Sequence, residues 1–558
     1  MLTLSATKLI LNGIQTGRSG HDCEFTSVGT DSRAIMPGML FVALKGERFD
    51  GHDYVKDVLK QGANCALVSA DWATAHAHLP LVGVADTRLA LGQLAAHWRG
   101  RFHIPLIGVT GSNGKTTVKE MCAAILRADF GQHAVLATTG NLNNDIGLPL
   151  TLLKLRTAHH AAVIEMGMNH PGEIDYLTHI ARPTVALVNN AQRAHLAGLG
   201  TVTDVARAKG EIFAGLTENG VAVINADDPN AQLWRGMNTA RRVVSFGFAP
   251  TADVRGTWQA HGPGGTLELA TPLGNTSVDL QVPGEHNARN ALAAAAACLA
   301  AGVPLAPIVR GLAHYAGVQG RLQRKPGQRG TRVIDDSYNA NPDSMRAAID
   351  VLAALPGRRI FVMGDMGEVG ETTGQLHDEI GGYAKSQGID VLFALGEKSV
   401  AAVHNFDGGA RHFKEVSALV AALLPLMDQD TTVLVKGSRF MKMERVVEQI
   451  VEDVPAAGPP QGGDSQEPGA AQRRTPVTSP CGEDGRDGTD DVRFRSPARA
   501  VAGVECLAYA GDTPTRPRHR AVHRFRAADE PGLGATGRAR HRAGRGRDRR
   551  RPHRCLAA

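Results

Sequence analysis

The residues best placed to do chemistry lie between 108 and 117, where Gly108, Gly111 and Gly114 run into Lys115, Thr116 and Thr117. Glycines at this spacing let anionic oxygens approach backbone N–H groups. A lysine closing such a loop reaches the β- and γ-phosphates of a nucleotide, and the next hydroxyl ligates Mg²⁺. Val109 stands where the strict GxxxxGK[ST] pattern has glycine, so the loop is a variant of that pattern. Glu165 ends one apolar run and His195 follows another. Carboxylate, hydroxyl and imidazole are groups that Mg²⁺ beside a nucleotide accepts, which makes Thr116, Glu165 and His195 a candidate ligand set.

These side chains can meet only if strands and helices bring them together. Residues 104–107 read as a short buried strand and 118–126 as the start of a helix with apolar residues at helical spacing. The alternation that continues to about 317 predicts a mostly parallel, doubly wound sheet, which gathers ligands at the carboxyl ends of its strands. Strands at 161–164 and 184–188 put Glu165 and His195 at that edge, and a strand at 221–225 leads to Asp227 and Asp228, polar enough to touch a nucleoside. Asn287 and Asn290 open an alanine-rich helix at 288–301, where they can pair with a base edge or satisfy the first N–H groups of the helix.

Residues 318–457 resume the alternation, with strands at 331–334, 359–363, 391–395 and 432–435 ending in Asp, Asn, Lys and Arg. That pattern marks a binding edge on a Rossmann-like domain. Residues 1–103 read as a small α/β domain with strands at 65–69 and 81–84, and a helix at 54–62 for which Asp53 is a cap candidate. Its Asp31-Ser32-Arg33 suits either a phosphate or uridine contact or a plain turn salt bridge.

A chain of 558 residues exceeds one hydrophobic core, and 43% apolar residues with 64 glycines and only 4% aromatics suit alanine-rich α/β layers. The seven cysteines are odd in number and lack CxxC spacing, which argues against a disulfide framework or zinc ribbon and for a reducing compartment. Residues 1–13 lack a basic, apolar leader, and the most apolar run, 291–306, is short for a span. A cytoplasmic protein without membrane insertion is expected.

The net charge of +6 belongs to the last hundred residues: 458–558 hold 20 Arg, no Lys and 12 acids, leaving 41 basic and 43 acidic residues before them. By composition this Arg/Gly/Pro-rich tail should be disordered. Its interspersed acids and lack of aromatic interleaving argue against nucleic-acid binding, and the abrupt loss of lysine is what a shifted reading frame in a GC-rich gene would produce.

Residues 1–457 resemble the Mur ligases, the ATP-dependent amide-forming enzymes of peptidoglycan precursor synthesis. The shared strings are TGSNGKTT (110–117), AKGEI (208–212) and GEHNARN (284–290), together with Glu165 and His195. Others point to the branch that adds a dipeptide: TDSR (30–33), PGMLFVALKGERFDGHDY (37–54), GNLNNDIGLPL (140–150), DDSYNANPDSM (335–345), GDMGEVG (364–370) and KGSRFMKME (436–444).

The resemblance implies a three-domain α/β ligase. Residues 1–103 would hold the UDP end of the substrate, 104–317 would bind ATP, and 318–457 would form a C-terminal Rossmann-like ligase domain. It implies ATP contacts from Gly111, Ser112, Asn113, Gly114, Lys115, Thr116, Thr117, Asn287, Arg321 and Asp336, and substrate contacts from Ser32, Arg33, Asn141, Asn339, Asn341, Lys436, Ser438 and Arg439. Lys115, His195 and Lys209 would be catalytic, and Mg²⁺ would lie on Thr116, Glu165, His195 and, if it is carbamylated, Lys209. The expected reaction joins D-alanyl-D-alanine to UDP-N-acetylmuramoyl-tripeptide through an acyl phosphate, in a monomer. A sibling ligase of Mur or folylpolyglutamate type with another acceptor is the alternative. Ala197 and Val369 depart mildly from the family, which often has Glu and Leu there.

Overall fold

The computed structural model describes residues 1–17, 22–262, 264–370 and 372–452. The expectations of disorder and of a shifted reading frame concern 458–558 and lie outside the described residues. Three large sheets follow one another along the described residues, with a two-stranded pair, Leu2–Thr3 and Glu24–Phe25, beside the first.

The first sheet has five strands in the order Ile14–Gln15, Leu81–Val84, Cys65–Ser69, Met39–Val42 and Ser27–Gly29. The last four are parallel, and its central strands are apolar throughout because they are covered on both faces. The strands expected at 65–69 and 81–84 are present. The helix expected at 54–62 is a 3₁₀ turn, Gly51–Tyr54, followed by Val55–Lys60. Its cap is Asp50, not Asp53. Asp50 has extended backbone and its carboxylate accepts the His52 N–H at 3.0 Å, whereas Asp53 is already inside the turn.

The second sheet has nine strands. Its parallel heart runs Arg242–Gly247, Val221–Asn225, Val185–Val188, Leu106–Thr110, Ala161–Glu165 and Val135–Ala137. After Gly247 the chain leaves the parallel alternation for an antiparallel meander, Val254–His261, Gly264–Thr271 and Gly274–Leu280, which extends the sheet at one edge. Helices Lys115–Phe130, Glu285–Ala300 and Leu305–Ala313 cover one face. Small residues let these helices approach closely: a Cβ on Gly311 would collide with the backbone of Ile125. The alanine-rich run is a buried helix, as expected, and no described helix is long and apolar enough to cross a membrane.

The third sheet has six strands in the order Gln323–Pro326, Arg332–Asp336, Thr431–Lys436, Arg358–Gly364, Val391–Leu395 and Ala410–Phe413, all parallel except the first. It carries its own apolar core on each face. The first two sheets instead share a continuous core, in which Leu40, Leu94 and Trp98 join Leu148, Leu155 and Ile164. Polar bonds seal that junction: Trp98 Nε1 donates to the Leu155 carbonyl at 3.1 Å, and the buried Arg99 donates to the Ala181 carbonyl at 3.0 Å.

Candidate active site

Strand Leu106–Thr110 lies between Ala161–Glu165 and Val185–Val188, with Val109 opposite Glu165 and Thr110 opposite Val188. The strand therefore starts two residues later than the sequence indicates and runs into the motif, and the helix opens at Lys115 rather than 118. What remains, Gly111 to Gly114, is the loop. Gly114 has φ +77°, and a Cβ there would collide with Asn290 Oδ1 and lie 2.6 Å from Asn189 Nδ2, so glycine is required.

The segment after Val188 straps this loop in place. Ser112 N–H donates to the Asn190 carbonyl (3.0 Å) and Asn113 N–H to Asn190 Oδ1 (2.9 Å). Asn189 Nδ2 donates to the Asn113 carbonyl (2.9 Å), and Gln192 N–H donates to Ser112 Oγ (2.9 Å).

Lys115 curls onto its own loop, with Nζ donating to the carbonyls of Gly111 (2.8 Å) and Ser112 (3.3 Å). Burial lowers its pKa and the nearby Glu165 opposes that shift. Lys209, at the end of helix Val202–Gly210, is buried beside it. Burial first, and the charge of Lys115 second, push Lys209 well below the usual lysine range. Glu165 is 2% exposed: Oε1 accepts from Asn143 Nδ2 at 2.8 Å, while Oε2 has no partner among the described residues. His195 stands at φ +58° and opens the short helix Leu196–Leu199. Its Nδ1 lies 2.8 Å from Glu368 Oε2 without forming a well-aligned hydrogen bond, and the contact holds the Glu368 carboxyl below its ordinary pKa.

The third sheet supplies the opposite wall. Arg321 lies over the Tyr338 ring at 4.3 Å and donates from Nη2 to Thr116 Oγ1 at 3.0 Å. Asn341 and Asn113 exchange amide hydrogen bonds of 2.8 and 3.2 Å. Lys436 Nζ donates to Asp336 Oδ2 (2.6 Å) and to the Asn339 carbonyl (2.9 Å). Burial raises the Asp336 pKa against the pull of Lys436. Ser438 Oγ accepts the Gly367 N–H at 2.8 Å, and Arg439 pairs with Glu444.

The walls enclose a cleft of about 1500 Å³. Ser112, Asn113, Gly114, Lys115, Thr117, Asn141, Glu165, His195, Asn287, Arg321, Asp336, Asn339, Asn341, Lys436, Ser438 and Arg439 all line it. Gly111, in the loop, and Thr116, in the first turn of the helix, are not among the lining residues, and Lys209 is buried next to Lys115. Ser32 and Arg33 are elsewhere: Arg33 forks onto Asp31 with two bonds of 2.9 Å, the turn salt bridge that was one of the two readings. Asn287 donates to the Pro283 carbonyl at 2.8 Å, within its own helix entry. Asp227 and Asp228 accept backbone N–H groups of Phe248 and Ala191, so both also hold loops in shape.

Sequence reasoning missed Asn143, which orients Glu165, and Arg193, Asp343 and Glu368, which join the two walls. Asn143 lies two residues from the chosen Asn141, and nothing in the string distinguishes the two.

The residues fit a small hard cation beside a nucleotide. Among the described residues no three His, Cys, Asp or Glu side chains cluster closely enough to cage a metal alone. Mg²⁺ needs no such cage: it takes one or two carboxylates and fills its shell with phosphate oxygens and water. The unpartnered Glu165 Oε2 is such a carboxylate oxygen.

Comparisons with known proteins agree with this architecture. Residues 24–99 match the model of the Mur ligase family, catalytic domain; 109–298 match the Mur ligase middle domain; and 320–439 match the Mur ligase, glutamate ligase domain. The UDP-N-acetylmuramoyl-tripeptide–D-alanyl-D-alanine ligase of Escherichia coli is 45% identical over 458 residues, 81% of this chain and 99% of that protein. A crystal structure of MurF from Acinetobacter baumannii is 37% identical with a TM-score of 0.75, covering 80% of this chain and 98% of that one. The MurF ligase of Thermotoga maritima in complex with ADP is 27% identical with a TM-score of 0.68, covering 77% of this chain and 98% of that one. The chain belongs to the Mur ligase family.

Proposed function

We propose that this ATP-dependent peptide ligase joins D-alanyl-D-alanine to UDP-N-acetylmuramoyl-tripeptide, releasing ADP and phosphate. The observation that carries the reading is the buried Glu165, one oxygen unpartnered, beside a phosphate loop and under a wall of Asn, Lys and Arg from the third sheet. The relatives named for this reaction, matched over nearly their whole length, support the choice of substrates.

The terminal carboxylate of the tripeptide attacks the γ-phosphorus of ATP. A carboxyl O–P bond forms, the bond to ADP breaks, and an acyl phosphate results. The amine of D-alanyl-D-alanine then attacks the acyl carbon, phosphate leaves with the bonding pair, and the amine loses its proton. Lys115 exchanges its loop carbonyls for the oxygens of the transferring phosphoryl group, and the loop N–H groups hold the other phosphates. Mg²⁺, held by Thr116, Glu165 and His195, would offset the charge that builds on the phosphate oxygens.

Burial disfavours the ammonium form of Lys209; its free amine would add to CO₂ and lose a proton, which would replace a cation by a carbamate anion able to ligate a second Mg²⁺. Asn287, Arg321 and Asp336 contact the nucleotide. Asn141, Asn339, Asn341, Lys436, Ser438 and Arg439 surround the acceptor and the acyl phosphate, and Ser32 and Arg33 take the UDP end. On this reading 1–103, 104–317 and 318–457 are the substrate, ATP and ligase domains. The cytoplasm supplies ATP and keeps the free Cys23, Cys65, Cys122 and Cys298 reduced.

Phosphate release by the full chain with ATP, Mg²⁺ and UDP-N-acetylmuramoyl-tripeptide tests the reading. Release that requires D-alanyl-D-alanine supports it. Release that responds only to another amine acceptor overturns it.

A further inference from the structure

Arg193 sits in the strap that holds the phosphate loop, three residues after Asn190 and two before His195. On one side of it, Asn189, Asn190 and Gln192 hold Ser112 and Asn113. On the other, Arg193 leaves the middle sheet's body altogether and enters the body built on the third sheet. Its backbone N–H donates to Asp343 Oδ2 at 2.8 Å, and Nε and Nη2 donate to Asp343 Oδ1 at 2.9 and 2.6 Å. Nη1 bridges both oxygens of Glu379 at 3.0 Å.

The receiving socket is built independently of Arg193. Arg346, on the same helix as Asp343, holds Glu379 Oε1 with bonds of 2.9 and 2.6 Å and lies over the Tyr383 ring at 4.5 Å. Tyr383 in turn donates to Asp350 at 2.6 Å. Asp343, Glu379 and Arg346 together carry a net charge of −1, which one arginine neutralises. Arg193, Asp343 and Glu379 have side-chain exposures of 27%, 22% and 30%, so the fork is partly desolvated and geometrically defined, unlike an isolated surface pair.

Asp343 lies in the first turn of helix Pro342–Ala353, whose cap is Asn341. Asn341 is also the residue that exchanges amide bonds with Asn113 of the phosphate loop. Fixing Asp343 therefore fixes where the cap residue meets the loop.

We propose that Arg193 is a positioning residue for the ligase reaction: seated between Asp343 and Glu379, it latches the third-sheet body onto the strap and sets Asn341 against Asn113. The inference rests on the ligase reading above. ATP contacts come largely from the loop side of the cleft, whereas the acceptor needs both walls. A weakened latch should therefore act on the acceptor step and expose the acyl phosphate to water.

The test uses the full chain, Arg193→Gln, Arg193→Lys, Asp343→Asn and the double variant Arg193→Gln/Asp343→Asn. It measures kcat, KM for ATP and for D-alanyl-D-alanine, phosphate released per peptide bond formed, and hydrogen exchange of the amides at 341–346. Arg193→Gln should lower kcat/KM for the dipeptide about 10- to 100-fold while leaving KM for ATP within about twofold. It should also release more phosphate than it forms product and speed exchange at 341–346. Arg193→Lys keeps the charge but not the fork and should recover part of the loss. The double variant should lose little beyond Arg193→Gln alone, the signature of one shared interaction.

Wild-type acceptor kinetics, coupling and exchange in Arg193→Gln would overturn the latch, as would additive losses in the double variant. Asp343→Asn breaks the same contact from the other side should Arg193→Gln fold poorly. A wild-type chain that ignores D-alanyl-D-alanine would sink the ligase reading instead, and the exchange data would still decide the latch.

Discussion

Lys115, half-buried on the cleft wall, and Lys209, fully buried behind it, feel each other's charge, and their partners give them different fates. Lys115 has two carbonyl acceptors and the charge of Glu165, so it keeps reasons to remain an ammonium. Lys209 meets only the like charge of its neighbour. Lys115→Ala or Glu165→Ala should therefore reduce kcat by about 10²- to 10³-fold, the cost of removing one stabilising group from a charged transition state, with an unchanged circular dichroism spectrum.

His286, on the cleft wall, is held down to about 4 by burial and then by the charges of Lys436 and Arg289. Its folded pKa lies below the unfolded value near 6.5, so the unfolded chain binds the extra proton between those limits. Stability should fall as pH drops from about 6.5 to about 4, by less than ~3 kcal/mol because the side chain keeps some contact with solvent. Urea titrations of the full chain and His286→Asn across that window check it: the variant should show a shallower slope.

At the scale of elements, the phosphate loop shows how one conformation depends on a missing side chain. Gly114→Ala would push a methyl into Asn290 and Asn189, which tie the loop to helix Glu285–Ala300 and to the strap, at a φ alanine avoids. It should cost about 1–3 kcal/mol and abolish ATP binding, read by thermal melting and nucleotide titration. The strands on either side were legible in the sequence because burial on both faces leaves uninterrupted apolar runs such as Ala161 to Ile164. The meander from Val254 to Leu280 was not, since its alternation is confined to short stretches such as Leu267-Glu268-Leu269 and Val278-Asp279-Leu280, set among Gly and Thr that carry no apolar pattern. Asp50 and Asp53 are equally good caps by residue type, and only the backbone angle chooses between them. Arg193 offered no signal at all: its partners are 150 and 186 residues away, a distance that no local pattern spans.

At the scale of the whole molecule, the alternation of strands and helices was enough to read three α/β layers, and the strand-end rule was enough to bring Glu165 and His195 to the cleft beside the phosphate loop, whereas Thr116, the third of that expected set, is not among the lining residues. How the layers join was hidden, because it depends on which faces are apolar in three dimensions. The first two sheets share a continuous core, with Trp98 and Leu40 in the same cluster as Leu155 and Ile164, whereas the third keeps its cores to itself and meets the others through amides and ions.

That difference has a calorimetric consequence. A seam of ions and amides gives up its bonds to water at little cost, while a shared oily interior ties its owners' fates together. Slow heating of the full chain should show two endotherms, one for the third-sheet body and one for the fused pair. Added nucleotide, spanning the seam, should draw them together. A single endotherm whose calorimetric and van't Hoff enthalpies agree would contradict this. Salt and acid should loosen that seam well before they disturb the greasy joint, so the enzyme's weak line is drawn by the chemistry of its solvent.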